Sequence, residues 1–163
     1  MMGLPLREIR TDSEPDPVLA VDDEWRDDLW LRIDDLCAIA GDYLEPSLVE
    51  RVREACYFAA EAHAGIYRKS GEPYIFHPLA VARILANVRF DYETLQAALL
   101  HDVIEDTPYN KEHISARFGL EVADLVDGVS KLTQIHFDSK LEAQAENFRK
   151  MFLAMAKDLR VIM

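Results

Sequence analysis

Cysteine is scarce in this chain, and its two copies, Cys37 and Cys56, are too far apart to form a CxxC pair. This usage argues against a thiolate metal site and against a disulfide framework, and it predicts two buried apolar residues in a reducing compartment. No apolar run reaches the roughly 18 residues of a transmembrane helix, and the N-terminus lacks the apolar core of a signal peptide. These absences predict a cytoplasmic protein without a membrane partner.

Positive charge is also in short supply. The chain has 18 Lys and Arg residues against 30 Asp and Glu residues, so its net charge is −12. Binding to a nucleic acid backbone needs a basic face, and we therefore expect no direct DNA binding. A polyphosphate substrate stays compatible with this composition only if a metal ion or a few Lys and Arg side chains concentrate positive charge locally.

Alternating strand patterns are absent as well, and helical periodicity begins at Trp25. Half of the residues are hydrophobic, which is enough for a core. We predict an all-α protein with six or seven helices packed around one core. Residues 1–22, which contain three prolines and several acidic residues, are predicted to be a flexible tail, and residues 23–163 a helical domain.

Capping signals predict where the helices begin and end. The first predicted helix has its N-cap at Asp22 or Asp23 and ends at Gly41, and the second begins at a capping box at Ser47–Glu50, ends at Gly65 and is followed by a loop over 66–76. A third helix is predicted to start near Pro78, and a fourth is capped by Asp91 and stops at Thr107-Pro108. A short helix near 111–117 before Gly119, a helix near 120–131 and a helix that begins at a second capping box at Ser139–Glu142 follow. The last helix is apolar from Phe148 to Ile162 and reaches Met163 without a cap. We interpret the domain as incomplete at its C-terminus, and an exposed stripe of this kind would favour self-association.

The segment His101-Asp102-Val-Ile-Glu105-Asp106 follows an apolar helical run. On a continuous helix His101 and Glu105 are i, i+4 neighbours, and Asp102 lies on the same side as Glu105 and Asp106. Burying these charges unpaired would be costly, and a divalent cation would neutralise them. Imidazole with carboxylate suits Mn, Fe, Zn or Mg. The alternative is that these residues only cap a helix that emerges into water.

The other four histidines and one loop with basic residues also have side chains that could bind a metal ion or a phosphate. His77, before Pro78, stands where a loop enters a helix, a position compatible either with a metal ligand or with an ordinary cap. His63 follows an apolar helical face and is interpreted as a hydrogen-bonded core histidine. His113 and His136 are interpreted as surface residues. The loop at 68–71, Arg-Lys-Ser-Gly, is either a phosphate or base contact or a solvated turn.

Together these motifs resemble the hydrolase domain of the Rel/SpoT family of alarmone enzymes. The matching segments are Arg68-Lys-Ser-Gly-Glu-Pro-Tyr-Ile75, His77-Pro78, Ala98-Leu-Leu-His-Asp-Val-Ile-Glu-Asp-Thr107, Phe118-Gly119, Val129-Ser-Lys-Leu132, Glu142–Lys150 and Asp158–Ile162. The resemblance covers about residues 45–163 and rests on several motifs in the same order and spacing. It implies the helical fold of HD-type phosphohydrolases.

The resemblance also implies roles for individual residues. His77, His101 and Asp102 match three ligands of one catalytic metal, usually Mn²⁺, and Glu105 and Asp106 match the acidic pair that handles the attacking water. The loop residues Arg68, Lys69 and Ser70 match the part that holds the guanosine. The implied reaction is hydrolysis of the 3′-pyrophosphate of guanosine tetra- or pentaphosphate to GDP or GTP and pyrophosphate.

The chain departs from the family pattern in two places. Phe76 stands where the family more often has Thr, and the family's fourth metal ligand lies in a motif beyond Met163. We therefore expect this chain alone to hydrolyse the alarmone poorly or not at all, and robust Mn²⁺-dependent pyrophosphate release would overturn that expectation. The alternatives are a non-catalytic nucleotide-binding, regulatory or dimerisation module derived from the same domain, and an unrelated α-helical interaction domain.

Overall fold

Helices account for most of the part of the chain that the structure describes, residues 21–133 of a computed structural model. A 3₁₀ turn at Asp23–Trp25 leads into α1 (Arg26–Gly41), followed by α2 (Pro46–Ala62), α3 (Phe76–Asn87), α4 (Tyr92–Leu100), α5 (Val103–Asp106), α6 (Lys111–Phe118) and α7 (Leu120–Thr133). The only β pairing within these residues is a single bridge between Tyr67 and Pro73. The predicted all-α class is confirmed.

The core is organised around α4, which packs against α2, α3 and α7. Every residue from Thr94 to Leu100 is buried. Burying one Leu or Ile side chain contributes about 1.5–3 kcal/mol relative to leaving it exposed, so this helix is a main source of stability. The largest side chains with almost no exposed surface are Leu29, Ile33, Leu36, Ile75, Leu95, Leu99, Leu100 and Ile114. Cys37 and Cys56 are buried and unpaired, as predicted.

Some of the predicted helix boundaries are confirmed and one is wrong. Asp91 caps α4, because its Oδ1 accepts a hydrogen bond of 2.8 Å from the Thr94 amide. The predicted capping box at Ser47 does not form: the N-cap is Glu45, and Pro46 occupies the first turn of α2. The fixed φ of proline and its missing N–H suit that position, so α2 begins before Ser47. Gly119 follows α6 with φ of 96°, a conformation that favours glycine.

The helix predicted to run from Asp91 to Thr107 is interrupted, which corrects the sequence interpretation. Regular α4 ends at Leu100, and α5 begins at Val103. The intervening His101 and Asp102 keep backbone angles of the right-handed helical region (Asp102 has φ of −95° and ψ of −5°), but they form a turn rather than regular helix. Hydrogen bonds from Tyr74 and His101 hold the Asp102 carboxylate at this turn. The i, i+4 spacing argument for this segment therefore applies only in part.

The remaining terminal predictions fall on parts of the chain outside the described residues. These are the tail up to residue 20, His136, the capping box at 139–142, and the apolar helix at 148–162. Within the predicted tail, Val21 is buried, and Asp22 accepts a hydrogen bond from the Tyr67 hydroxyl. None of the helices between residues 21 and 133 has the length and apolar character needed to cross a membrane.

Candidate metal centre

Three side chains with metal-binding chemistry converge where α3 meets the turn between α4 and α5. His77 lies in the first turn of α3, and His101 and Asp102 form the turn. One ligand atom from each residue lies within 4.8 Å of the other two. His101 Nε2 is 2.9 Å and His77 Nε2 is 4.0 Å from Asp102 Oδ2. The structure thus brings together two imidazoles and one carboxylate, although the two histidines are far apart in sequence.

The hydrogen bonding of His101 leaves one of its nitrogens directed at this cluster. Its Nδ1–H donates to the Ala98 carbonyl oxygen at 2.6 Å, so Nε2 is the nitrogen that faces Asp102. With a proton on Nε2, His101 donates a hydrogen bond to Asp102 Oδ2 across this 2.9 Å, and a cation bound by both atoms would replace that proton. Burial alone would lower the pKa of His101, but hydrogen bonds to Asp102 and Ala98 outweigh it and raise the pKa. The pair therefore attracts positive charge.

The pKa shifts of His77 and Asp102 favour the protonation states that metal binding requires, whereas the raised pKa of His101 favours its protonated form, so a metal ion would have to displace the Nε2 proton. Burial, followed by the neighbouring His101, lowers the pKa of His77 and favours its neutral form. Burial would raise the pKa of Asp102, but the hydrogen bonds from His101 and Tyr74 hold it below the ordinary value. Neutral imidazoles and an ionised carboxylate are the forms that bind divalent cations. The set fits Mn, Fe, Zn or Mg rather than a metal that prefers sulfur.

Behind this cluster lies an aromatic layer that the sequence interpretation did not identify. The Tyr74 hydroxyl donates to Asp102 Oδ2 at 2.6 Å. The Tyr74 ring stacks on His63, with centroids 5.0 Å apart and an interplanar angle of 25°. His63 is 3% exposed, and its Nδ1–H donates to the Ala59 carbonyl oxygen at 2.9 Å. The prediction of a hydrogen-bonded core histidine is confirmed, and its ring also supports Tyr74.

The two acidic residues predicted to project with His101 and Asp102 have different surroundings. Glu105 Oε1 accepts a hydrogen bond of 2.8 Å from the Ser130 hydroxyl, which connects it to α7. Asp106 is exposed, and partial burial together with the charge of Asp102 raises its pKa. The charge of Asp102 acts on Asp106, and the raised pKa makes Asp106 a stronger base than an ordinary aspartate.

The basic loop at 66–75 borders an open cavity of about 640 Å³, and one of the lining residues, Tyr74, donates a hydrogen bond to Asp102. The loop is closed by hydrogen bonds from the Arg68 amide to the Glu72 carbonyl and from the Gly71 amide to the Arg68 carbonyl, both 2.9 Å. Gly71 has φ of 92°, which favours glycine at this turn. The lining residues are Tyr67, Arg68, Lys69, Ser70, Glu72 and Tyr74. Tyr74 therefore contacts the cavity on one side and Asp102 on the other.

The buried His63 is expected to make the free energy of unfolding depend on pH in a defined direction. The pKa of His63 lies below its ordinary value, and burial is the largest cause. His101 lowers this pKa further, and the Ala59 carbonyl, Asp106 and Asp102 only partly offset the decrease. The unfolded chain therefore binds more protons, and this histidine costs stability as the pH falls through about 6.5, its unfolded value. We expect the free energy of unfolding to fall more steeply between pH 7 and pH 5 in the wild type than in His63→Gln.

Urea unfolding of both metal-free proteins at several pH values measures this difference. His101 titrates in both proteins, and because its charge also lowers the pKa of His63, the difference between the two profiles includes that coupling. Parallel pH profiles for the wild type and His63→Gln would contradict the assignment of His63 as a neutral buried histidine.

Comparisons with known proteins identify the family of this chain. A family model described as "HD domain" matches residues 55–163. A guanosine-3′,5′-bis(diphosphate) 3′-pyrophosphohydrolase of Vibrio cholerae is 58% identical over 130 residues, which is 80% of this chain and 18% of the relative. The bifunctional (p)ppGpp synthase/hydrolase SpoT of Escherichia coli is 58% identical over 74% of this chain and 17% of the relative.

A third relative extends the similarity to a distant organism. The guanosine-3′,5′-bis(diphosphate) 3′-pyrophosphohydrolase of Aquifex aeolicus is 51% identical over 118 residues, which is 72% of this chain and 16% of the relative. The matched region is less than a fifth of the length of each of these three relatives. The resemblance to the Rel/SpoT hydrolase domain is thereby confirmed, and the chain belongs to the HD domain family.

Proposed function

We propose that this domain hydrolyses the 3′-pyrophosphate of guanosine tetra- or pentaphosphate in a metal-dependent reaction. The observation that carries the proposal is the convergence of His77, His101 and Asp102 within 4.8 Å, next to the cavity lined by the basic loop. The 58% identity to a protein named for this reaction gives the substrate class. The reaction consumes one water and gives GDP or GTP together with pyrophosphate.

We propose Mn²⁺ as the metal, because the resemblance to the Rel/SpoT hydrolase domain implies it; the donor set of two imidazoles and one carboxylate is compatible with Mn, Fe, Zn or Mg. A divalent cation held by His77, His101 and Asp102 would acidify the attacking water and offset the charge of the phosphates. The 2.9 Å approach of His101 Nε2 to Asp102 Oδ2 supports this position, because a cation bound by both atoms would replace the proton between them. Three protein ligands leave room for solvent and substrate.

We propose that Glu105 and Asp106 handle the protons of the reaction. Water attacks the phosphorus bonded to the ribose 3′ oxygen, the bond between that phosphorus and oxygen breaks, and the 3′ oxygen takes up a proton. Asp106, with its raised pKa, is suited to take the proton of the water. Glu105, held by Ser130, is suited to orient the water or to return the proton. Both roles require a carboxylate at the edge of the metal cluster.

We propose that the basic loop binds the guanosine part of the substrate. Arg68, Lys69 and Ser70 line one cavity and place positive charge in a chain whose net charge is −12. The Arg68 guanidinium is partly exposed and forms an ion pair with Glu72 at 3.4 Å. An ion pair at the surface contributes little free energy, so it does not hold the guanidinium strongly. The guanidinium is therefore available to stack on a purine. This loop and the proposed metal supply the local positive charge that an anionic substrate needs.

Single-turnover hydrolysis tests the proposed function directly. The chain is mixed in excess with guanosine tetraphosphate that carries a label in its 3′-pyrophosphate, with Mn²⁺ or with EDTA. We expect slow release of labelled pyrophosphate and GDP with Mn²⁺ and none with EDTA. Product release that is equal with Mn²⁺ and with EDTA would contradict the proposed metal dependence, and bound metal and bound nucleotide without any product would favour a non-catalytic nucleotide-binding module.

Substitution of Arg68 separates nucleotide binding from metal binding when guanosine tetraphosphate and Mn²⁺ are titrated separately into the protein. Arg68→Ala should weaken nucleotide binding by about tenfold, the size expected for loss of an arginine stacked on an aromatic ring, while Mn²⁺ affinity stays unchanged. Arg83→Ala is the matched control, because Arg83 lies on the exposed side of α3 and pairs with Asp35. Absence of nucleotide affinity at millimolar concentration in the wild type would contradict the role of the basic loop.

A further inference from the structure

Tyr74 makes a contact to the metal cluster that is stronger than an ordinary surface hydrogen bond. Its hydroxyl is 2.6 Å from Asp102 Oδ2, and the acceptor is a carboxylate that is only 9% exposed. Hydrogen bonds to ionised acceptors are shorter and about twice as strong as neutral ones. The same oxygen also faces His101 Nε2 at 2.9 Å. The orientation of the Asp102 carboxylate is thus set by one residue from the turn and one from the loop.

The Tyr74 side chain is held in place from several directions. Its ring stacks on His63, which is itself anchored to the Ala59 carbonyl. The edge of the ring meets His77, with centroids 6.0 Å apart. Its backbone amide donates to the Ile66 carbonyl at 2.9 Å across the base of the loop. A side chain fixed in this way delivers its hydroxyl to Asp102 without a large cost in conformational entropy.

We propose that Tyr74 is a positioning residue for the metal site, acting through Asp102. This inference rests on the proposed function, because it assigns Tyr74 a role toward the proposed cation. Donors that hold metal-ligating carboxylates fix the direction of their lone pairs, and their loss typically lowers metal affinity by about 10- to 100-fold. Tyr74 also lines the cavity beside Arg68. The hydroxyl therefore connects the geometry of the basic loop to that of the metal ligands.

Tyr74→Phe tests this role, because phenylalanine keeps the ring that stacks on His63 and removes only the hydroxyl. Mn²⁺ affinity of the 163-residue chain is measured from the electron paramagnetic resonance signal of free Mn²⁺. We expect the Mn²⁺ affinity of Tyr74→Phe to be lower than that of the wild type by at least about tenfold. Tyr43→Phe is the matched control, because the Tyr43 hydroxyl donates to the Phe90 carbonyl at 2.7 Å, outside the metal cluster. Its Mn²⁺ affinity should equal that of the wild type.

Thermal unfolding of the metal-free proteins accompanies the titration. A role limited to packing would lower the unfolding temperature and leave the affinity of the folded protein unchanged, so the two measurements distinguish positioning from structure. Equal Mn²⁺ affinity for wild type and Tyr74→Phe would overturn this inference and leave the proposed metal site intact. No Mn²⁺ binding by the wild type would overturn the proposed metal site and this inference together.

Discussion

His77→Ala should lower the affinity of the chain for Mn²⁺ by at least about 100-fold, because loss of a residue that only supports a ligand already costs about 10- to 100-fold. His77 has a side chain that is 35% exposed and lies in the first turn of α3, so its truncation leaves the core in place. His101→Ala should have an effect of similar size. Isothermal titration with Mn²⁺ measures both affinities, and circular dichroism checks that each variant is folded.

The control for this prediction is His113→Ala. His113 is an exposed histidine whose Nδ1 accepts a hydrogen bond from the Asn110 amide in the cap of α6. Its removal should leave Mn²⁺ affinity unchanged even if it weakens the helix end. An affinity of folded His77→Ala within threefold of the wild type would show that His77 is not a ligand.

Asp106→Asn and Glu105→Gln should each reduce turnover by about 10²- to 10⁴-fold, the range that positioned acids and bases contribute. Mn²⁺ affinity should change little, because neither residue belongs to the group of three ligands that lie within 4.8 Å of one another. Single-turnover release of pyrophosphate measures the first effect, and metal titration measures the second. The combination of bound metal with lost chemistry separates proton handling from metal binding.

An exposed acidic residue elsewhere provides the control for this pair. Glu112 lies on α6 and has an exposed side chain, and Glu112→Gln changes the net charge of the protein by the same amount as Asp106→Asn or Glu105→Gln. It should keep wild-type turnover. Unchanged turnover in Asp106→Asn or Glu105→Gln would remove that residue from the proposed chemistry.

Local sequence patterns predicted the helices well because their signals lie within a few residues of each other. The apolar period of α4 and the cap at Asp91 are of this kind, and both are present. The capping box at Ser47 was wrong because Pro46, one residue earlier, is a better helix start. Competition between two adjacent start signals depends on small free-energy differences, which a motif alone does not reveal.

The turn at His101 and Asp102 could not be predicted from the local pattern, because tertiary contacts set it. Its backbone stays in the right-handed helical region, yet regular helix stops at Leu100. The donor that holds Asp102 is Tyr74, 28 residues earlier in the chain. Helical periodicity carries no information about such a pair. The same reason explains why Tyr74 was missed as part of the site.

The candidate site residues were proposed from their chemistry and motif order rather than from helical geometry alone. The i, i+4 argument predicted that Glu105 lies near His101, and Glu105 does contribute to the raised pKa of His101, but its hydrogen bond from Ser130 on α7 could not be predicted from that spacing. The sequence left His77 open between a cap and a ligand, and the structure places its imidazole 5.6 Å, centroid to centroid, from that of His101. Long-range packing of α3 against α4 produces this approach.

The central claim is that one divalent cation binds between His77, His101 and Asp102. Crystals of the chain grown with Mn²⁺ test it most directly through the anomalous scattering of the metal. We expect an anomalous peak within coordination distance of Nε2 of both histidines and of a carboxylate oxygen of Asp102. An ordered site without a peak there, or a peak bound only by other residues, would contradict it.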